Sequence, residues 1–478
     1  MMSSLQKKTK IIATIGPVSN TPAVIETLLL QGVDVFRLNF SHGSHEFHNE
    51  AIETIKEQCK ITNRTAGILA DLQGPKLRVR RSVDDLTVPV HTGSTVTITN
   101  RDILSTDTII SIDYPNLALR IKSGQLIMIN DGAIRLEVDS IDSSGDIHCT
   151  VLSGGTYSSH KGVNIPDVYL GIAPLTEKDY DDLSFILEKD IQFIAMSFVR
   201  TGKDLEILKN IIREKRKNIK VIAKIEKPEA ARAIDEILEG CDGIMIARGD
   251  LGVETSPWQV PILQKDLVEK ANQNAKLVIV ATQMLESMIH NPLPTRAESS
   301  DIANAIIDGT DAIMLSGETA VGSFPAQAVD IMKKISSVTE SSHYLLKDIV
   351  NLSSKNYPPF SICEAAVLAS RDLGNIPICV LTISGETAFY LAKLRSKASL
   401  FAFSPDIQII KMLSLAWNTA AFLLPFENNI SVLHSKAEKI LEDEGLVKKG
   451  EMIAIISGTI PVQGATDSLR IKKAGYQE

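Results

Sequence analysis

The stretch Val221–Glu254, VIAKIEKPEAARAIDEILEGCDGIMIARGDLGVE, decides the fold. It opens with a short apolar run that ends at Lys224 and Glu226. A helical segment follows Pro228, with Ala230, Ala233, Ile234, Ile237 and Leu238 on one face, and stops at Gly240. A second apolar run, Gly243 to Ala247, leads into Arg248-Gly249-Asp250. Alternate residues of a strand point to the same side, so Lys224 and Glu226 project together from one strand end. Asp250, at the end of the next strand, adds a second carboxylate. One ammonium and two carboxylates suit a divalent cation that holds an anionic, oxygen-rich substrate. A surface ion-pair cluster has the same composition, and the rest of the chain has to decide between the two.

Outward from this stretch the strand–helix alternation continues in both directions. Upstream lie the runs Ile11–Ile15, Val33–Phe40, Gly67–Asp71 and Phe193–Phe198, and downstream Leu277–Ala281 and Ala312–Leu315. With amphipathic segments between them they make about eight strand–helix units, the number that closes a parallel (β/α)8 TIM barrel. The rhythm breaks between Gly74-Pro75 and Ala173-Pro174, where short runs alternate with period two and Gly, Asn, Asp and Ser clusters separate them. That pattern predicts a small inserted β-barrel. Beyond a polar link at 353–359, four helical segments alternate with four apolar runs, which predicts a three-layer α/β domain. The expected division is 1–74 and 174–350 for the barrel, 75–173 for the inserted β-barrel lid, and 351–478 for the C-terminal domain.

Composition narrows the function. A chain of 478 residues has room for roughly three domains. Hydrophobic content of 44%, charged content of 23% and a mean hydropathy of +0.07 describe an ordinary globular protein. A net charge of −8 and a pI near 5.7 argue against nucleic acid and membrane surfaces as partners. The five cysteines have no CxxC or zinc spacing and are expected to be reduced, packed thiols of a cytoplasmic protein. Neither a signal segment nor a membrane-length apolar run is visible.

Catalytic groups of a (β/α)8 barrel come from the C-terminal ends of its strands. Polar residues fall there repeatedly: Arg37, Asn39 and Ser41 at alternate positions, then Asp71, Lys224 with Glu226, Asp250, Thr282, and Ser316-Gly317-Glu318. Agreement at so many strand ends favours a site over a set of unrelated loop residues.

The segments TKIIATIGP, DVFRLNFSHG, ADLQGPK, IAKIEKPEA, ARGDLGVE, ATQMLESM, PTRAE and MLSGETAVG are similar, in order, to the motif series of pyruvate kinases. The resemblance spans nearly the whole chain and weakens in the C-terminal third. It implies phosphoryl transfer from phosphoenolpyruvate to ADP, giving pyruvate and ATP. In that light Glu226 and Asp250 would hold Mg²⁺ or Mn²⁺, and Lys224 would stabilise charge on the transferring group and the enolate. Arg37 would bind the phosphate, and backbone N–H groups at Gly249 and Asp250 the carboxylate. Thr282 would lie near the enolate carbon and help relay a proton through water. The resemblance assigns the nucleotide to Asn39, Phe40, Ser41, His42, Arg78 and the lid residue Lys161.

One departure matters. Many relatives carry DTKGPE and a K⁺ near the phosphate, a site that would correspond to Asn39, Ser41, Asp71 and Leu72. This chain has Asp71-Leu72-Gln73-Gly74-Pro75-Lys76, and the Lys76 ammonium is expected to replace the monovalent ion. In the C-terminal domain Thr382, Ser384, Gly385 and Thr387 form a hydroxyl-rich strand–helix turn, and the resemblance implies a sugar-phosphate or nucleotide effector there. Glu386 within that turn and the loop 458–464 depart from the family pattern. A homotetramer is the family expectation. A metal-dependent aldolase would explain Glu226 and Asp250 but not the lid, and a non-catalytic sensor would not need the Lys224, Glu226, Asp250 and Thr282 set.

Overall fold

Eight short segments are almost wholly apolar and bury every residue except Arg37, Asn39, Lys220 and Lys224, as strands do when both faces of a parallel sheet are covered. They are β1 (Lys10–Ile15), β2 (Val35–Asn39), β3 (Gly67–Asp71), β4 (Phe193–Met196), β5 (Lys220–Ile225), β6 (Gly243–Ala247), β7 (Leu277–Ala281) and β8 (Ala312–Leu315). In the computed structural model, which describes residues 7–166, 168, 170–345, 358–458, 464 and 466–476, they form a closed ring in which each strand pairs in parallel with its sequence neighbour and β8 returns to β1. The predicted (β/α)8 barrel is therefore present.

Local chemistry fixes where the outer helices begin and end. Thr21 caps the helix Pro22–Gln31 by accepting from the Val24 N–H, and Gly32, with φ of 102°, closes it in a left-handed turn. In the PTRAE motif, Thr295 and Glu298 form a reciprocal capping box at the start of the helix Arg296–Asp308. That part of the motif is spent on helix nucleation.

The side chains of alternate strand residues divide into two cores. Ile11, Ala13, Phe36, Leu38 and their equivalents pack against the helices. Ile12, Val35, Leu69, Phe193, Ile222, Met245, Ile279 and Met314 point into the ring and share one apolar cluster with Leu400, Ala402, Leu413 and Trp417 of the C-terminal domain. The C-terminal domain therefore plugs the N-terminal end of the barrel. Its polar contacts agree, since Lys10 donates to the Thr419 carbonyl at 2.8 Å and the Asn418 N–H donates to the Lys8 carbonyl at 2.9 Å.

The insertion after β3 is all-β apart from two single 3-10 turns, Val83–Asp85 and Leu117–Leu119. Its main sheet has seven strands, and the bridge between Val79 and Ile112 joins the two edges, so the sheet curls into a small barrel. The alternation that predicted it is visible in Ile134–Ile141, where Ile134, Leu136 and Val138 are buried and the residues between them are not. A two-stranded ribbon, Val88–Val90 with Gly155–Tyr157, was not expected.

The C-terminal sheet contains β9 (Ile378–Leu381), β10 (Leu400–Ser404), β11 (Thr419–Leu423), β12 (Met452–Gly458) and β13 (Thr466–Lys473), in the order β11-β10-β9-β12-β13. The order reverses between β9 and β12, which makes the crevice beyond their C-terminal ends a switch point. Sequence reading missed β13 because its alternating, charge-rich pattern belongs to an exposed antiparallel edge. Residues 353–357 of the expected link and 459–463 of the second effector loop lie outside the described residues. Among the described residues, no helix is long and apolar enough to cross a membrane. The five cysteines are free thiols, four of them buried, and burial pushes Cys149, Cys241 and Cys363 up to about 12.

Candidate active site

Parallel pairing lines up the ends of β2 to β6 in order along one rim, with Asn39 opposite Asp71, Ala195 opposite Asp71 on its other side, and Ile225 opposite Ile246. Four charged side chains meet there in a chain of alternating sign. Arg37 donates from Nε to Asp71 Oδ2 at 2.8 Å, with a second guanidinium nitrogen at 2.6 Å and a third bonded to Thr14 Oγ1 at 3.1 Å. The Lys224 ammonium lies 3.1 Å from Asp71 Oδ1 and 2.9 Å from Glu226 Oε1, and it donates to Ser197 Oγ at 2.7 Å. Asp71 is 1% exposed and Glu226 2%.

Burial and pairing compete at each group. Burial disfavours the Lys224 charge, but Asp71 and Glu226 outweigh it and hold the ammonium above the ordinary lysine range. For Asp71, burial is outweighed by Lys224 and Arg37, and its carboxyl sits below the usual range. For Glu226, burial wins over Lys224, the Asp250 charge adds to it, and the carboxyl is pushed up. Two carboxylates that repel each other, one of them buried, make a donor pair that a divalent cation would relieve. The residues present thus fit a cation whose remaining ligands come from substrate and water. Among the described residues the one cluster of three or more His, Cys, Asp or Glu ligands is elsewhere, at His45, Asp181 and Asp182, where Lys178 already pairs with Asp182 at 2.7 Å.

Thr282 and Gln283 follow β7 with φ of 68° and 53°. A β-branched residue in the left-handed region costs on the order of 1–3 kcal/mol. Arg248 supplies the restraint: its guanidinium donates to the Thr282 carbonyl at 2.8 Å, to the Gln283 carbonyl at 3.0 Å and to Asp301 at 2.5 Å. The Thr282 hydroxyl donates to the Ala281 carbonyl at 2.6 Å and accepts from the Gly249 N–H at 2.8 Å. Gly249 N–H is therefore engaged, and a carboxylate would meet it only by displacing Thr282.

On the nucleotide side the loop after β2 is tight, with the Ser41 N–H donating to Asn39 Oδ1 at 3.2 Å and the His42 N–H to the Asn39 carbonyl at 3.1 Å. The Phe40 ring is 1% exposed and stacks on His48 at 4.2 Å, so only its backbone faces the site, and its carbonyl already accepts from Lys178. His42 is pushed below its ordinary value by burial and then by the positive charges of Arg78, Arg37 and Lys76. That local field suits a polyphosphate. Arg78 donates to the His160 carbonyl at 2.9 Å, next to the exposed Lys161. A cleft of about 540 Å³ opens between the lid, at Asp131 and Arg135, and the barrel, at Arg248, Gly249 and Trp258.

Lys76 reaches from the lid hinge to Asp250, with its ammonium 3.4 Å from Oδ1. Leu72 is buried and its carbonyl accepts from Ser197 Oγ at 2.7 Å. Glu318 is not a site group: its carboxylate is 1% exposed and accepts the N–H groups of Leu285 at 2.9 Å and Ser316 at 2.7 Å. Thr14, Ser197, Phe198 and Arg248 are the participants that sequence reading missed. Ser197 carried a legible signal, since it interrupts an apolar run at a strand end, but it has no charge to draw notice.

In the C-terminal turn the Thr382 hydroxyl accepts from the Gly385 N–H at 2.9 Å, Thr387 shares a buried hydrogen bond of 3.0 Å with Thr466, and Gly385 has φ of 84°. Ser384 is half-buried beside them, at the switch point of the sheet.

Comparison with known proteins places the chain in a family. Residues 6–329 match the family model of the pyruvate kinase barrel domain, and residues 361–472 match that of the pyruvate kinase alpha/beta domain. The chain is 41% identical to pyruvate kinase 2 of Synechocystis sp. over 473 residues, 98% of this chain and 80% of that protein. It is 40% identical to a pyruvate kinase of Corynebacterium efficiens, with 98% of both chains covered. A crystal structure of a pyruvate kinase from Cryptosporidium parvum superposes with a TM-score of 0.92 at 32% identity, covering 99% of this chain and 97% of that one. This chain, with its eight-stranded barrel and C-terminal α/β domain, belongs to the pyruvate kinase family of phosphotransferases.

Proposed function

We infer that the protein transfers the phosphoryl group of phosphoenolpyruvate to ADP, releasing pyruvate and ATP. The observation that carries this reading is the Lys224 ammonium, held between Asp71 and Glu226 at the mouth of the barrel. Such transfer needs little covalent chemistry from the protein and depends on positioning and charge neutralisation. Glu226 and Asp250 would hold Mg²⁺ or Mn²⁺, which neutralises substrate oxygens when bound. Arg37, fixed by Asp71 and Thr14, presents its guanidinium to the phosphate. Lys224 faces the charge that moves from the bridging oxygen onto the enolate. Thr282, whose hydroxyl proton is committed to the Ala281 carbonyl, keeps one lone pair with which it would order a water beside the enolate carbon rather than give up its own proton. Asn39, Ser41, His42, Arg78 and Lys161 would take the ADP phosphates. A coupled assay of ATP formation from phosphoenolpyruvate and ADP tests the reading; no ATP from the native chain ends it, and would leave the aldolase and sensor alternatives.

Activity is expected to be largely independent of K⁺, because Lys76 supplies a fixed cation beside Asp250. In sodium-free, potassium-free buffer, added K⁺ should raise the native rate less than about tenfold, whereas Lys76→Glu should make the rate depend on K⁺ by more than about tenfold. A native enzyme that needs K⁺ would refute this.

The turn at Thr382, Ser384, Gly385 and Thr387 is proposed to take a sugar-phosphate or nucleotide effector, supported by its place at the switch point of the C-terminal sheet. Titrating fructose bisphosphate, AMP and hexose monophosphates should shift the phosphoenolpyruvate saturation curve for at least one of them. A cytoplasmic homotetramer completes the proposal.

A further inference from the structure

The two residues that follow β4, Ser197 and Phe198, contact both halves of the Lys224–Glu226 pair. Ser197 is 2% exposed, and its hydroxyl proton is committed to the Leu72 carbonyl at 2.7 Å. Its oxygen can then only accept, and it accepts from Lys224 at 2.7 Å. The ammonium is hydrogen-bonded to Ser197 and in ion-pair contact with Asp71 and Glu226. Phe198 sits with φ of 55°, a left-handed turn that directs its N–H to Glu226 Oε2 at 2.8 Å, while Glu226 Oε1 faces Lys224. The corner is packed in place, since a Cβ on Gly74 would come within 3.0 Å of both the Phe198 ring and Ser197 Cβ.

The geometry points to the Ser197–Phe198 corner as the positioning element of the reaction, an inference that rests on the reading of Lys224 and Glu226 given above. With Glu226 Oε1 holding a cation, Lys224 would exchange that one partner for a substrate oxygen. Ser197 and Asp71 then remain as the two anchors that aim the ammonium. Glu226 stays fixed through Oε2 by the Phe198 N–H, which leaves Oε1, the oxygen facing Lys224, as the one it would offer a cation. Ser197 touches no reacting atom and acts only through Lys224.

The test compares Ser197→Ala, Ser197→Cys and Lys224→Met with the native enzyme in steady-state kinetics and thermal unfolding. Ser197→Ala should lower kcat by on the order of 10–100-fold while the phosphoenolpyruvate KM changes less than about threefold. Ser197→Cys, of nearly the same size and a poor acceptor, should show the same split between kcat and KM with native thermal stability. Native kcat in both serine variants, with Lys224→Met inactive, would overturn the corner's role and leave the site reading intact. An active Lys224→Met would overturn the site reading itself. A fall in kcat that tracks a loss of thermal stability in both serine variants would also count against positioning, because a purely structural residue behaves that way.

Discussion

Lys224→Met is expected to form ATP at a rate on the order of 10³-fold or more below the native chain, with its barrel intact. Removing one preorganised donor from a water-poor site costs about 10²–10³ in kcat, and cations that neutralise a transferring phosphoryl group contribute about 10³–10⁵. Lys224 combines the two roles in one ammonium. The substitution also leaves Asp71 and Glu226 with one partner fewer. Asp71 keeps Arg37 and Glu226 keeps the Phe198 N–H, so the local structure has reason to persist. A variant within tenfold of the native kcat, with native circular dichroism, would show that the charge developing on the enolate is met by another group.

The second large effect is on stability and lies at the opposite end of the barrel. Asp311→Ala is expected to destabilise the junction between the barrel and the C-terminal domain by about 3–5 kcal/mol, the usual cost of removing one partner from a buried ion pair. Asp311 is 1% exposed and precedes β8. One carboxylate oxygen bonds Lys393 and accepts the Val278 N–H at 2.8 Å, and the other lies 2.9 Å from Arg395. Lys393 also donates to Asn272 Oδ1 at 3.0 Å, and Arg395 lies 4.9 Å from the Trp417 ring. Burial already lowers Lys393 to about 8 against the pull of Asp311, so without the carboxylate two cations would be buried with only neutral acceptors. Urea unfolding followed by Trp417 fluorescence, in a Trp258→Phe background that removes the exposed second tryptophan, measures the effect where it arises. A midpoint indistinguishable from native would contradict it. The double change Asp311→Leu with Lys393→Met should recover part of the loss, because it removes one of the two cations left without a carboxylate and leaves only Arg395.

Much of this molecule was legible before any coordinates. The barrel could be counted from apolar runs because its strands are buried on both faces. The inserted domain could be recognised because a small β-barrel buries every second residue. The strand-end residues Arg37, Asp71, Lys224, Glu226, Asp250 and Thr282 could be grouped because strand pairing brings residues hundreds of positions apart to one rim. Less visible were groups whose chemistry depends on partners. Ser197 has no charge, and its importance lies in a hydroxyl proton already given to Leu72. Arg248 looked like part of a loop triplet, yet it braces the left-handed turn at Thr282. Glu318 had the composition of a site residue but is consumed by two backbone N–H groups.

Periodicity and residue types in order were enough for the eight-unit count of the barrel, the family motifs and the set of strand-end groups. Only the tertiary structure decided how those groups share protons and partners. Whether a carboxylate accepts from Lys224, from a backbone N–H or from both depends on distances of a few ångströms between strands, and no spacing along the chain encodes them. The same holds for the plug beneath the barrel, where Asp311 meets Lys393 and Arg395 because two separate cores merge into one.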